Sequence, residues 1–81
     1  MPKLPRNLSG RELGAKLARL GYKLGWQTGS HMRYRTLTDG EHSITIVDER
    51  PLNVKTLGRL LKDVASHHGL SVDDVKRALF Q

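Results

Sequence analysis

The chain contains no cysteine, so neither a disulfide nor a thiolate metal site supports its fold. Large side chains are scarce: one Trp, two Tyr and one Phe occur among 81 residues, so packing is expected to claim most of them. No stretch approaches the roughly 18 apolar residues of a membrane-spanning helix. Met1–Arg6 carries charges with no apolar run behind them, and no secretory leader is expected. Carboxylate clusters, His/Cys ligand spacings and phosphate-binding glycine loops are missing too, so no metal and no cofactor is expected. Acid is nearly absent from the first half. Up to Thr38 there is one acidic residue, Glu12, against eight Lys/Arg, whereas from Asp39 onward seven acids face six Lys/Arg.

What is present suits one small folded domain. Hydrophobic residues make up 37% and charged residues 27% of the chain, too apolar for disorder and too short for two cores. The net charge of +6 sits in the first half. Such a basic half can be a nucleic-acid footprint, because cations that neutralise phosphates release counterions. The alternative is a basic solvated surface. Lack of cysteine fits a cytoplasmic location.

Local signals predict the order α-β-β-β-α plus a short C-terminal helix. Residues 1–8, with Pro2 and Pro5, read as an extended arm. Ser9 and Glu12 form a capping box, with Leu8 and Leu13 at the staple positions. Leu13, Leu17 and Leu20 share one face of a helix over Gly10–Leu20, which Gly21 ends. Arg11, Lys16 and Arg19 fall on or beside its wet side. Tyr22–Gln27 alternates as a strand, with Tyr22, Leu24 and Trp26 expected on one face. A Thr28-Gly29-Ser30 turn, a strand over His31–Leu37, an Asp39-Gly40 turn and a strand over His42–Val47 complete an antiparallel meander. Asn53 caps a helix reaching about His67, with Val54, Leu57, Leu61 and Val64 as its apolar face. Ser71 starts the last helix, within a C-terminal extension over 70–81, with Val72, Val75 and Leu79 on one side. The fold class is therefore α+β: a three-stranded antiparallel sheet with helices on one face and the other face open. This order is that of the double-stranded-RNA-binding fold.

The alternation of the second strand separates Met32 and Tyr34 from His31, Arg33 and Arg35. If the first pair faces the helices, the trio faces solvent. Arginine grips phosphate oxygens bidentately, and histidine exchanges protons near neutrality. Together they suit cleavage of RNA through its own 2′-hydroxyl, with His31 as general acid or base. The alternative is a polar sheet face with an idle histidine. Lys23 and Ser30 join Arg33 and Arg35 as candidate RNA contacts. His42 opens the third strand and could approach the second. His67 and His68 are expected to complement the negative end of their helix. Trp26 and Tyr34 could stack on bases, but packing is the expected role of both.

Gly29-Ser30-His31 with Tyr34, the Ile44-Thr45-Ile46 strand, Arg50-Pro51-Leu52, Thr56-Leu57 and Leu60-Leu61-Lys62 form an ordered set. Pro2-Lys3-Leu4-Pro5, the Ser9–Glu12 helix start and Gly69-Leu70-Ser71 extend it over most of the chain. This set resembles the HicA toxins, also called the YcfA-like family of mRNA interferases. The resemblance implies a double-stranded-RNA-binding-like fold and a metal-independent endoribonuclease acting on mRNA in the cytoplasm. It implies a HicB-type antitoxin as partner, and it assigns the catalytic role to His31. The third strand departs from the family, ending Val47-Asp48-Glu49 in place of a Val-Pro-x-His pattern. Two other readings of the fold remain: an RNA-binding module without cleavage, and a protein-interaction domain.

Overall fold

The computed structural model describes residues 4–81; the expected arm at Met1, Pro2 and Lys3 lies outside the described residues. The elements are α1 (Gly10–Leu17), a 3-10 turn (Ala18–Leu20), β1 (Lys23–Thr28), β2 (His31–Thr36), β3 (His42–Val47), α2 (Val54–His68) and α3 (Val72–Phe80). The three strands form one antiparallel sheet in the order β1-β2-β3. The fold is thus α+β, with three helices and a three-stranded antiparallel sheet.

Helix α1 begins as its sequence dictates. The Ser9 hydroxyl accepts the Glu12 N–H at 3.0 Å and the Glu12 carboxylate accepts the Ser9 N–H at 3.0 Å, so two otherwise unpaired donors are satisfied reciprocally. That backbone bond, helped by the Ser9 side chain and by Arg50, holds the Glu12 carboxyl below its ordinary range. The expected last turn of the helix tightens to 3-10 geometry, a common helix ending, and Gly21 closes it at φ 85°.

Two glycines on one side of α1 set its distance from the sheet. A Cβ on Gly14 would lie 2.1 Å from the Tyr34 ring, and one on Gly10 would lie 1.9 Å from the Val47 carbonyl oxygen. Residues four apart share a helix face, so the pair forms a smooth strip that rests directly on β2 and β3. The sheet's helix side contributes Met32, Tyr34, Ile44 and Ile46, and these join Leu8, Leu13, Leu17, Leu52, Leu57, Leu61, Val64, Val75 and Leu79 in one buried cluster. The C-terminal helix is therefore part of the core. Arg19 fastens it by donating to the carbonyls of Ala78, Leu79 and Gln81, the groups a helix end leaves unpaired.

Three expectations about apolar faces need correction. Val54 lies in solvent in the first turn of α2, and Leu52 from the preceding loop fills the core in its place. Leu24 on β1 is 44% exposed, whereas Ile44 and Ile46 on the other edge strand, β3, are buried. Trp26 does not share a face with Tyr22 and Leu24 at all, for the reason given below. Among the described residues, no helix is long and apolar enough to cross a membrane.

Candidate functional site

The face of the sheet turned away from the helices is a small grid. In β2, Met32, Tyr34 and Thr36 are buried while His31 and Arg35 are exposed and Arg33 is half-exposed. Strand pairing extends that phase sideways into three rows: Thr28–His31–Val47, Trp26–Arg33–Thr45 and Lys23–Arg35–Ser43. Successive rows are about 7 Å apart along the strand, and neighbours within a row about 5 Å apart. His31, Arg33, Arg35 and Lys23 thus share one open surface. Ser30 stands at its edge, in the two-residue turn that joins β1 to β2. Gly29 takes φ 57° there, at the first turn position, where type II′ hairpins place glycine. The Ser30 carbonyl accepts the Asp48 N–H at 2.7 Å and so ties this turn to the end of β3.

Trp26 reaches the grid through a bulge. Leu24 pairs with Tyr34 but Trp26 pairs with Arg33, leaving Gly25 as an extra residue in β1. An extra residue inverts the facing of everything after it. The indole therefore leaves the helix side and stands beside Arg33, 54% exposed. Gln27 takes the helix-side position opposite Met32 and meets the Arg11 side chain at 3.3 Å. The expectation that Trp26 packs in the core is overturned. The available signal was Gly25 itself, since a lone glycine within a strand marks a bulge. Tyr34, by contrast, packs as expected: it is buried beneath Gly14, and burial raises its phenol pKa.

The cations of the grid are not equivalent. Arg33 donates to the Thr45 hydroxyl at 2.9 Å and makes no ion pair among the described residues. Arg35 is bridged to Glu41 at 2.5 Å, so its charge is already balanced. Next to it, Lys23 and Arg35 line a groove of about 540 Å³ whose other walls include Leu24, Leu37, Thr38 and Gly21. Two cations of the first helical segment are engaged elsewhere. Arg11 holds Asp48 at 2.9 Å, which raises its own pKa, and Arg19 holds the C-terminal carbonyls.

The other three histidines gather at the opposite end of the sheet. His42 pairs with Thr36, five residues along β2 from His31, or about 17 Å. Its Nδ1 lies 2.7 Å from the Tyr22 hydroxyl and its Nε2 3.1 Å from Asp63. The same hydroxyl lies 3.1 Å from His68 Nε2, and His68 Nδ1 lies 2.9 Å from Asp39. His67 stacks on His42 with ring centroids 4.4 Å apart and meets the carbonyls of Thr38 and Gly40. His67 and His68 therefore clamp the β2–β3 turn to α2, where the sequence had suggested only a charge at a helix end. Burial, with a contribution from Asp63, pushes the Tyr22 phenol up to about 12. None of these rings approaches His31.

Among the described residues, no group of three or more His, Asp or Glu side chains is placed to hold a metal ion. His31 makes no side-chain hydrogen bond among those residues and is open to solvent. What the open face offers is an imidazole, an unpaired guanidinium one row away, and an exposed indole next to it. Compared with protein-family models, curated proteins and solved structures, the chain matches none of them.

Proposed function

We propose that the open sheet face binds RNA and cleaves its backbone, with His31 as the general acid or base, as the resemblance to the HicA toxins implies. The observation that carries the reading is the placement of His31 on an exposed sheet face two residues from Arg33, whose guanidinium has no carboxylate partner among the described residues. In this scheme the imidazole takes the proton of a ribose 2′-hydroxyl, and that oxygen attacks the neighbouring phosphorus. The bond from phosphorus to the 5′-oxygen breaks. The products are a 2′,3′-cyclic phosphate and a 5′-hydroxyl, the leaving oxygen taking its proton from water. Arg33 stabilises the charge that builds on the non-bridging oxygens. Lys23 and Ser30, with Arg35 once it releases Glu41, hold the flanking backbone.

The nucleophile belongs to the substrate, so the scheme needs no metal-bound water. The wider reading follows the same resemblance: a double-stranded-RNA-binding-like fold, mRNA as substrate, a HicB-type antitoxin covering the open face, and a cytoplasmic site of action. The test is cleavage of a labelled RNA in excess chelator, with product ends analysed. Cyclic phosphate ends are expected. Activity that vanishes in chelator and returns with magnesium would overturn the scheme.

A binding module without cleavage is the second reading. It is favoured by the absence, among the described residues, of a side chain that orients His31, since catalytic bases are ordinarily held by a third group. Binding of RNA by the wild-type protein with no cleavage under any condition would select it.

A further inference from the structure

We infer that Trp26 is a stacking platform for one unpaired nucleobase, so that the open face takes single-stranded RNA in preference to duplex. The inference rests on the RNA reading of this face and adds to it the residue that holds a base.

An exposed indole alone would mean little, because single apolar side chains are common on protein surfaces. Here its exposure has a structural cause. In a regular β1, Trp26 would follow Leu24 onto the helix side. The Gly25 bulge diverts it to the opposite face, and bulges are a recurrent means of re-aiming a side chain. No aromatic ring among the described residues packs against it, and half of its surface stays in water.

Its surroundings select the occupant. Trp26 stands in the same row as Arg33, one row from His31 and one row from Lys23 and Arg35. Glu41, just before β3, is bound to Arg35. A flat apolar ring beside Arg33 and Lys23, neither of which makes an ion pair among the described residues, complements a polyanion that carries flat apolar groups. A nucleic-acid strand has both: phosphates for the cations and a base face for the indole. In a duplex each base face is covered by its neighbours, whereas an unpaired base is free to stack on a side chain.

Trp26 is the only tryptophan in the chain, so its fluorescence reports on this contact alone. The probe is a single-stranded 2′-O-methyl oligonucleotide, which lacks the nucleophilic hydroxyl and cannot be cleaved. Binding is followed independently by the anisotropy of a dye on its end. Saturable quenching of Trp26 is expected with the single strand, and weaker binding with little quenching once the complement is annealed. Trp26→Ala should lose about 5- to 150-fold in affinity, the range for one stacked base, while Trp26→Phe recovers most of it. Melting curves check that each variant folds.

Binding by anisotropy without quenching, or a Trp26→Ala protein that binds like the parent, would overturn the stacking role and leave the RNA reading standing. A duplex that binds and quenches as well as the single strand would overturn the preference. No binding of either probe would remove the RNA reading and the stacking role together.

Discussion

Replacing Arg33 and replacing Glu41 should move RNA affinity in opposite directions. Arg33 spends one of its five N–H donors on Thr45 and keeps the rest of its fork for a phosphate. Removing it as Arg33→Ala deletes one charge-assisted contact, worth about 1.5 kcal/mol or tenfold in affinity. The plot of log affinity against log salt should become shallower by about 0.7, the single-strand value for one phosphate. Arg35 must first give up Glu41, and the exchange of one exposed partner for another gains little. Arg35→Ala should therefore cost about threefold or less. Glu41→Gln frees Arg35 and should strengthen binding about two- to fivefold, with a salt slope steeper by up to about 0.7. Arg11 and Arg19 already hold Asp48 and the C-terminal carbonyls, so their alanine variants, and Lys16→Ala, should stay within about twofold of the parent, the range of weak surface charges. Anisotropy of an uncleavable oligonucleotide, measured from about 50 to 300 mM salt, gives both quantities. If the helix-one variants lose more affinity than Arg33→Ala, the interface lies on the helices and the assignment of the open face is wrong.

Gly14→Ala should destabilise the fold although alanine favours helices by about 1 kcal/mol. The new methyl would meet the Tyr34 ring at 2.1 Å, and overpacking of that kind costs about 1–3 kcal/mol or more. A fall in melting temperature of roughly 5–15 °C is expected for a domain of this size, and an unchanged or raised value would refute the close contact. Both of the chain's tyrosines should titrate above the ordinary phenol range in the folded protein, because burial raises Tyr34 and takes Tyr22 to about 12. Since the folded pKa is the higher one, this contribution to stability is complete below pH 10, where unfolded phenols titrate, and is lost as pH rises through about 12. Absorbance at 295 nm should rise at higher pH in the native protein than in the unfolded one, with the Tyr22 wave at about 12, and a full two-tyrosine wave centred at pH 10 in the native protein would contradict the buried placement.

Local features were legible in the sequence because short-range physics determines them. The Ser9–Glu12 capping box, the glycine stop at Gly21, the Asn53 and Ser71 caps and the alternation of β2 all stand as read. That alternation alone sufficed to place His31, Arg33 and Arg35 on one face. Features that depend on register or on distant partners were not legible. A single extra residue at Gly25 reverses Trp26, since facing in a strand has a period of two. The contact of Gly14 with Tyr34 requires knowing which helix lies over which strand. The ion pairs of Arg35 with Glu41 and of Arg11 with Asp48 separate the available cations from the occupied ones, and neither pair follows from spacing. The meeting of Tyr22, His42 and His68 joins three segments distant in sequence.

The central claim is that His31 moves a proton during cleavage of RNA on the open sheet face. Wild-type and His31→Ala proteins, purified in parallel, would be compared for single-turnover cleavage of one RNA, with thermal melting recorded for both. An exposed side chain that makes no hydrogen bond among the described residues should cost within about 0.5 kcal/mol when truncated, so the two melting curves should nearly coincide. Loss of a general acid or base should slow cleavage by about 10²- to 10⁴-fold. A His31→Ala protein that cleaves at the parental rate, or a folded wild-type protein that binds RNA and leaves it intact, would contradict the account.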